Sequence, residues 1–160
     1  MKVLLNVYKE KEIDLMKYHN VVIFDTYDNC LDEFLNEIHS SNESVLVSGN
    51  NSTTQLKELV NEMESRYNLM FGNKCRKWYS QKLRRSIKSK IVIVNAEKIR
   101  SDSKYDVLRL LQKSSGCGMY IVVGLKGTQR PSNQNIVVNC PLRLIVDNKK
   151  IIGKEDLVND

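Results

Sequence analysis

The chain has 160 residues, of which 41% are hydrophobic and 28% charged, and a formal net charge of +6. This composition is that of one soluble globular domain and excludes a disordered chain or a coiled coil. No apolar run approaches the roughly 20 residues that span a bilayer, and the charged start excludes a signal peptide, so we expect a cytoplasmic protein or the cytoplasmic end of a membrane-anchored one.

Short apolar runs alternate with helical patterns along the chain, which predicts strands and helices in turn. The predicted strands cover residues 3–7, 21–25, 44–48, 90–95, 119–124 and 143–147, with Ile151 and Ile152 as a short edge. The predicted helices cover residues 28–39, a stretch that begins at Thr53, and residues 75–87 and 102–113, with Asp28 capping the first and Ser52 or Thr53 the second. This order predicts a three-layer α/β fold with a mainly parallel sheet of five or six strands, as one domain over residues 1–160.

The cysteines do not indicate a metal site. Cys30, Cys75, Cys117 and Cys140 lie far apart and form no CxxC pair, and the chain has only two histidines. We therefore expect four reduced, mostly buried thiols and no metal. No nucleophile–base arrangement is legible, so no catalytic residue is predicted.

The loop after the third strand is where a phosphate-binding loop would lie, because ligands of parallel sheets bind beyond the carboxyl ends of strands. The full motif G-x-x-x-x-G-K-[ST] is incomplete here, since the second glycine, the lysine and the hydroxyl residue are missing. A decayed phosphate loop and an ordinary strand–helix turn both stay open. The candidate residues are Gly49, Asn50, Asn51, Ser52, Thr53 and Thr54.

The strand over residues 90–95 ends where magnesium nucleotide sites usually place an aspartate. This chain has Asn95 there, followed by Ala96 and Glu97. Asn is a poorer ligand than Asp for a hard dication, and Glu97 would need a shifted register to act as a base. We therefore expect hydrolysis to be impaired.

The segment after residue 124 resembles the FtsK/SpoIIIE family of P-loop ATPases. The matching residues are Thr128, Gln129, Arg130, Pro131, Ser132, Asn139, Pro141 and Arg143, and Lys113 to Gly116 resembles a turn of the same family. Without the phosphate-loop lysine and the strand-end aspartate, the chain is similar to the third, C-terminal ATPase domain of type VII secretion ATPases of the EssC/EccC type. The resemblance implies a P-loop NTPase-like fold with a degenerate nucleotide site, within a longer multidomain protein.

The resemblance also implies roles for residues of this loop. Gln129 would lie near a terminal phosphate in an active relative, with Arg130 beside it, but here Gln129 is as readily a structural residue. ATP and Mg²⁺ would be cofactors only if the degenerate site still binds them, so no cofactor is expected. The implied partner is a secreted substrate protein or an adjacent ATPase domain.

The basic character of the chain comes from one segment. Residues 74–90 carry eight Lys and Arg and no acid, which leaves 17 basic residues against 19 acidic ones elsewhere. Three interpretations stay open: a solvated helix face, a protein-binding surface with Trp and Arg anchors, and a nucleic-acid surface with stacking aromatics. The candidate partner-binding residues are Lys77, Trp78, Tyr79, Arg84 and Arg85.

The sequence thus predicts a catalytically degenerate P-loop ATPase domain of a secretion or translocation machine. It would act in substrate recognition or motor regulation through protein contacts. The alternatives are a divergent but active ATPase or DNA translocase, and a basic nucleic-acid-binding module.

Overall fold

The computed structural model describes residues 2–9, 11–80, 83, 87–127 and 131–158. Six strands form the main sheet in the order β4-β5-β6-β3-β7-β8, with β8 antiparallel to its neighbour and the other five strands parallel. The predicted mainly parallel sheet is confirmed. The strands are β3 (Asn20–Asp25), β4 (Ser44–Val47), β5 (Lys90–Asn95), β6 (Met119–Lys126), β7 (Leu142–Asp147) and β8 (Lys150–Asp156).

The central strand is β3, with β6 on one side and β7 on the other. All of its residues are buried, as expected for an apolar run in a parallel sheet that helices cover on both faces. Five α-helices occur in the described part of the chain. They are α1 (Leu15–Tyr18), α2 (Leu31–Ser41), α3 (Ser52–Gly72), α4 (Lys104–Lys113) and α5 (Gln134–Val138).

The helices cover both faces of the sheet. The crossover from β3 to β4 runs one way along the sheet, and all later parallel crossovers run the other way. Because such crossovers are right-handed, α2 lies on one face and α3, α4 and α5 lie on the other. A Cβ on Gly124 of β6 would lie 2.7 Å from the side chain of Leu35, so α2 packs directly on the sheet. The predicted three-layer α/β fold is confirmed.

The first predicted strand does not join the main sheet. β1 (Leu4–Tyr8) pairs antiparallel with β2 (Lys11–Asp14), a strand that the sequence analysis missed. This hairpin packs on α2 through β1 and buries alternate side chains of that strand. The pattern of apolar residues predicted the strand but not its partner.

The last strand is longer than predicted. Ile151 and Ile152 lie within β8, a seven-residue strand that forms one edge of the sheet. The hydroxyl of Tyr18 donates to Oδ2 of Asp156 in β8 at 2.6 Å. This hydrogen bond joins α1 directly to the last strand.

The predicted helix over residues 75–87 is wrong for its first part, residues 75–80. Residues 75–80 form turns, and only Leu83 is helical, with its carbonyl accepting from the amide of Ile87 at 2.7 Å. The buried side chains of this segment include Trp78, Leu83 and Ile87. Over residues 75–80 the chain is therefore tied to the core by the buried Trp78 and not by one face of a helix.

The cysteines are free: Cys30, Cys117 and Cys140 are buried, and Cys75 is half-buried. Burial raises the pKa of Cys117 to about 11 and that of Cys140 to about 12. Within the described residues, no helix is long and apolar enough to cross a bilayer.

Candidate functional site

The carboxyl edge of the sheet has one position where the strand order favours a ligand. Crossovers leave β3 in one direction, and the later connection from β6 to β7 passes beyond it in the other. In open α/β sheets the ligand crevice lies outside the carboxyl end of a strand at such a reversal. The segment that follows β3, residues 25–31, therefore lies where a ligand of this fold would bind.

The side chain of Asp25 caps the helix that follows this position. Its side chain has no solvent exposure, and its Oδ2 accepts hydrogen bonds from the amides of Cys30 and Leu31, both at 2.9 Å. These amides begin α2, so the donors that a helix N-terminus offers to an anion already hold a carboxylate. The other oxygen, Oδ1, has no hydrogen-bond partner among the described residues.

The predicted cap of this helix was wrong. Asp28 lies before the N-cap residue, Cys30, and takes a left-handed backbone conformation with φ of 55°. Its carboxylate pairs with Lys126 Nζ at 3.0 Å, and this hydrogen bond raises the pKa of Lys126. The capping carboxylate instead belongs to Asp25, which the sequence places at the end of a strand.

Asn95 and Glu97 lie at the same edge. The Asn95 side chain is buried, donates to Asp32 Oδ1 at 2.6 Å and accepts from the amide of Glu97 at 3.0 Å. Glu97 Oε1 accepts from the backbone amide of Lys126 at 3.0 Å. Asn95 thus links the end of β5 to α2, and Glu97 links it to the end of β6. Their vestigial nucleotide role stays a prediction.

The segment from Gly49 to Thr54 follows β4, the outermost strand on one side of the sheet. Three strand spacings, roughly 14 Å, separate this strand from β3. Gly49 has φ of 88° and donates to the carbonyl of Lys98, while Ser52 Oγ donates to the carbonyl of Gly49 at 2.6 Å. Asn51 is the N-cap of α3, and the Thr53 hydroxyl lies 3.0 Å from that of Ser103.

A shallow groove at this loop is lined by Gly49, Asn50, Thr53, Lys98, Ile99 and Arg100. Thr54 is exposed. The phosphate-loop role of residues 49–54 stays a prediction, and the strand order offers residues 25–31 as a second position. Gln129 and Arg130 lie outside the described residues. The amide of Gly127, just before them, donates to the carbonyl of Asp25 at 2.7 Å.

Of the predicted partner-binding residues, the described ones, Lys77, Trp78 and Tyr79, lie near the opposite, amino edge of the sheet, where Trp78 packs on Gly118 just before β6. Trp78 is only 3% exposed and contacts Tyr120 edge-to-face, so it is a core residue and does not present a surface. Lys77 and Tyr79 are exposed, with the Lys77 ammonium 5.5 Å from the ring centroid of Tyr79. Arg84 and Arg85 lie outside the described residues.

Sequence reasoning missed two residues beside the carboxyl end of β3, Asp25 and Asp32. Asp32 bridges Asn95 and Lys98, with its Oδ2 lying 2.6 Å from the Lys98 ammonium. The signal for Asp25 was present, because an acid ends a buried strand just before a helix. Its importance depends on the strand order, which the sequence did not show.

No protein-family model and no curated protein matches the sequence. Solved structures do share its fold. The pCW3 conjugation coupling protein TcpA, a monomer with ATPγS, has a TM-score of 0.64 and 16% identity over 92% of this chain and 55% of its own. The cytoplasmic domain of the type VII secretion ATPase EccC from Thermomonospora curvata has a TM-score of 0.60 and 8% identity, over 85% of this chain and 22% of its own.

ATPases 2 and 3 of EccC from the same organism, in complex with a signal sequence peptide, give a TM-score of 0.59 and 10% identity over 91% of this chain. The chain spans at most 55% of the length of these solved chains, and only 33% of the peptide complex. The predicted resemblance to FtsK/SpoIIIE-like and EssC/EccC-type ATPase domains is confirmed at the level of the fold.

Proposed function

We propose that this chain is a motor-type domain of a secretion or translocation machine that has lost its nucleotide site and acts through protein contacts. It would recognise a substrate or regulate a neighbouring ATPase domain. The observation that carries this proposal is the buried carboxylate of Asp25 on the first amides of α2.

Those amides are the groups that a phosphate would need. A triphosphate at this position would have to displace Asp25 and approach a second carboxylate, that of Asp28. No Lys, Arg or Gly occurs in residues 25–31, so the loop has neither a cation for the phosphate charge nor the flexible backbone of a phosphate loop. The ammonium of Lys126, next to the loop, already pairs with Asp28.

The neighbouring strand end supports the same interpretation. At the end of β5, the buried Asn95 uses its side-chain oxygen for the amide of Glu97 and its nitrogen for Asp32. The oxygen is the one atom of this amide that could ligate a magnesium ion; it is neutral, buried and already accepts a hydrogen bond, whereas magnesium prefers carboxylate oxygen and water. At the ends of β3 and β5, the groups that would bind phosphate and magnesium thus make hydrogen bonds within the protein. These hydrogen bonds support a structural role for the carboxyl edge of the sheet.

A protein partner is the remaining basis for function. A similar fold in Thermomonospora curvata EccC is in complex with a signal sequence peptide, which supports peptide recognition as a property that this architecture can carry. We assign the same kind of partner here: a secreted protein segment or an adjacent domain.

Isothermal titration calorimetry with Mg-ATP tests the proposal. We expect no binding up to about 1 mM nucleotide, because the anion site is occupied from within. Micromolar binding with phosphate release would overturn the proposal and favour a divergent active ATPase. In that event, Thr53→Ala and Asn29→Ala would show whether the nucleotide lies at the end of β4 or of β3.

A further inference from the structure

The C-terminal end of α3 extends beyond the sheet. The helix has 21 residues, roughly 31 Å at 1.5 Å per residue, whereas the strands it packs on have four to six residues, at most about 20 Å. Arg66 anchors the helix at the amino edge of the sheet, where its guanidinium donates to the carbonyl of Cys117 at 2.9 Å. The residues after Met70 therefore project past the core.

This projection exposes apolar groups. Phe71 is 87% exposed and is the most exposed of the large hydrophobic side chains in the described residues, and Leu69 is 42% exposed. The chain then turns back through Lys74, which has φ of 54°. We call the exposed group the tip surface; it consists of Leu69, Phe71, Lys74, Arg76, Lys77 and Tyr79.

The tip surface is strongly basic. Residues 65–96 carry nine Lys and Arg and no acid. Two of the nine, Arg66 and Lys90, pair with Glu62 on α3. Within the described parts of the chain, no carboxylate lies within ion-pair distance of Lys74, Arg76 or Lys77, so these exposed cations lack an acidic partner.

Contacts with the core fix the backbone that carries these cations. Behind the tip surface, Trp78 packs on Gly118, where a Cβ would lie 2.5 Å from the indole ring, and its ring contacts Tyr79 edge-to-face at 6.2 Å. The amide of Cys75 donates to the carbonyl of Met70 at 2.9 Å and fixes the turn after the helix. The cations and Phe71 are thus presented by a backbone that is tied to the core.

We propose that the tip surface binds an acidic protein segment that carries an apolar residue, with Phe71 as the anchor and Lys74, Arg76 and Lys77 pairing with its carboxylates. Interfaces concentrate binding energy in a few aromatic and arginine side chains, and complementary charge sets specificity. This inference rests on the proposed function in that both assign protein contacts to the domain. The tip surface and Asp25 lie at opposite edges of the sheet, so the two can fail independently.

Two other anionic partners fit the observations less well. Stacking on successive nucleic-acid bases needs several free aromatic faces, whereas the tip surface offers one, that of Phe71, because Trp78 is buried and Tyr79 already contacts Trp78 and the Lys77 ammonium. Binding in the plane of a membrane needs a broad apolar helix face, whereas the turns of residues 75–80 bury Trp78 and expose one strongly apolar ring next to them, Phe71.

Fluorescence anisotropy on the whole chain tests the proposal with four labelled probes. These are an amphipathic peptide in which Glu alternates with Leu and Phe, the same peptide with Gln for every Glu, an oligothymidine, and phosphatidylglycerol vesicles. We expect the acidic peptide to bind, the Gln peptide to bind at least about 10-fold more weakly, and the affinity to fall as salt rises.

Variants locate the binding. Phe71→Ala, and separately Lys74→Glu with Arg76→Glu, should each weaken the acidic peptide about 10-fold or more. Matched controls are Tyr105→Ala, which removes another exposed aromatic ring, and Lys57→Glu, which reverses an exposed charge near the other end of α3; neither should change the affinity. All these side chains are exposed, and an unchanged urea midpoint checks that each variant folds.

Failure of the acidic peptide to bind, or equal binding by wild type and Phe71→Ala, would overturn the proposal. Oligothymidine or vesicle binding that is lost in the tip variants, without peptide binding, would overturn it in favour of that ligand class. A Mg-ATP titration of the same samples separates the two proposals: nucleotide binding together with acidic-peptide binding refutes only the lost nucleotide site.

Discussion

At the scale of single residues, Asp25 decides what the carboxyl edge can do. An acid at the end of a buried central strand would be costly without partners, and here two backbone amides stabilise it. The same hydrogen bonds remove those amides from any anionic ligand. One side chain thus accounts for the start of α2 and for the loss of its first amides as donors to an anion.

Replacement of Asp25 measures this role. Asp25→Ala leaves two amides at the start of α2 without their acceptor, and we expect it to lower the free energy of unfolding by about 2 kcal/mol. Asp25→Asn keeps one acceptor oxygen and should lose less. Urea denaturation followed by circular dichroism gives both values.

Asp102→Ala serves as the control, because this carboxylate is exposed and, among the described residues, forms an ion pair with the exposed Arg100 alone, at 3.4 Å. It should stay within about 0.5 kcal/mol of wild type. A loss at Asp25→Ala no larger than in this control would contradict the capping role.

At the scale of elements, the segment between α3 and β5 shows how apolar spacing can mislead. Cys75 and Tyr79 continue the spacing of the buried Leu83 and Ile87, yet residues 75–80 are turns, bends and irregular backbone in which Trp78 is buried and Tyr79 is exposed. What fixes the segment is a specific contact, in which the indole of Trp78 covers Gly118 at the start of β6. The position must be glycine for two reasons, its φ of 79° and the absence of space for a Cβ.

Two glycine variants separate these reasons. Gly118→Ala and Gly49→Ala both place a side chain at positive φ, but the added Cβ at Gly49 has nothing within 4 Å, whereas at Gly118 it meets Trp78 at 2.5 Å. We expect Gly118→Ala to be less stable than Gly49→Ala by about 1–3 kcal/mol, because only it displaces the indole. Trp78 is the only tryptophan, so its fluorescence during urea unfolding reports the contact directly.

Equal urea midpoints for the two variants would show that the indole moves aside at little cost. In that case the segment that carries the tip surface would not be held by Trp78. A red-shifted emission spectrum in folded Gly118→Ala would show the same displacement in the native state.

At the scale of the whole molecule, the chain ends are joined across the fold. Tyr18 follows the N-terminal hairpin, and Asp156 lies in the last strand, 138 positions away. The hydrogen bond between them is the main cause that lowers the pKa of Asp156 and raises that of Tyr18. A side-chain hydrogen bond thus links α1 to the edge strand β8.

Tyr18→Phe should therefore destabilise the protein in a pH-dependent way. Because the pKa of folded Asp156 is lowered, its stabilisation is present above an ordinary aspartate pKa of about 4 and is lost as the pH falls. Because the pKa of folded Tyr18 is raised, its stabilisation is present below about pH 10 and is lost as the pH rises. Urea midpoints should differ most from wild type between about pH 5 and 9.

Tyr105→Phe is the matched control, since Tyr105 is 70% exposed. This variant should follow wild type at every pH. A difference between Tyr18→Phe and wild type that stays constant down to pH 2.5 would show that the hydrogen bond to the Asp156 carboxylate is not its origin.

The sequence by itself determined the elements that depend on local pattern. The buried strand over residues 90–95 and the helix ending at Lys113 are where apolar spacing predicts them, and the parallel α/β class follows from their alternation. The resemblance carried by residues 128–143 predicted the fold, which the solved structures confirm.

Only the tertiary structure decided which strand is central. Local pattern cannot show strand order, because parallel strands pair through long crossovers whose direction leaves no mark in the sequence. The phosphate-loop prediction was placed after β4 because Gly49 follows that strand. The reversal of strand order lies three strands away, beside Asp25. Likewise, the burial of Trp78 depends on Gly118, a residue 40 positions away along the chain, and spacing within one segment cannot reveal such a contact.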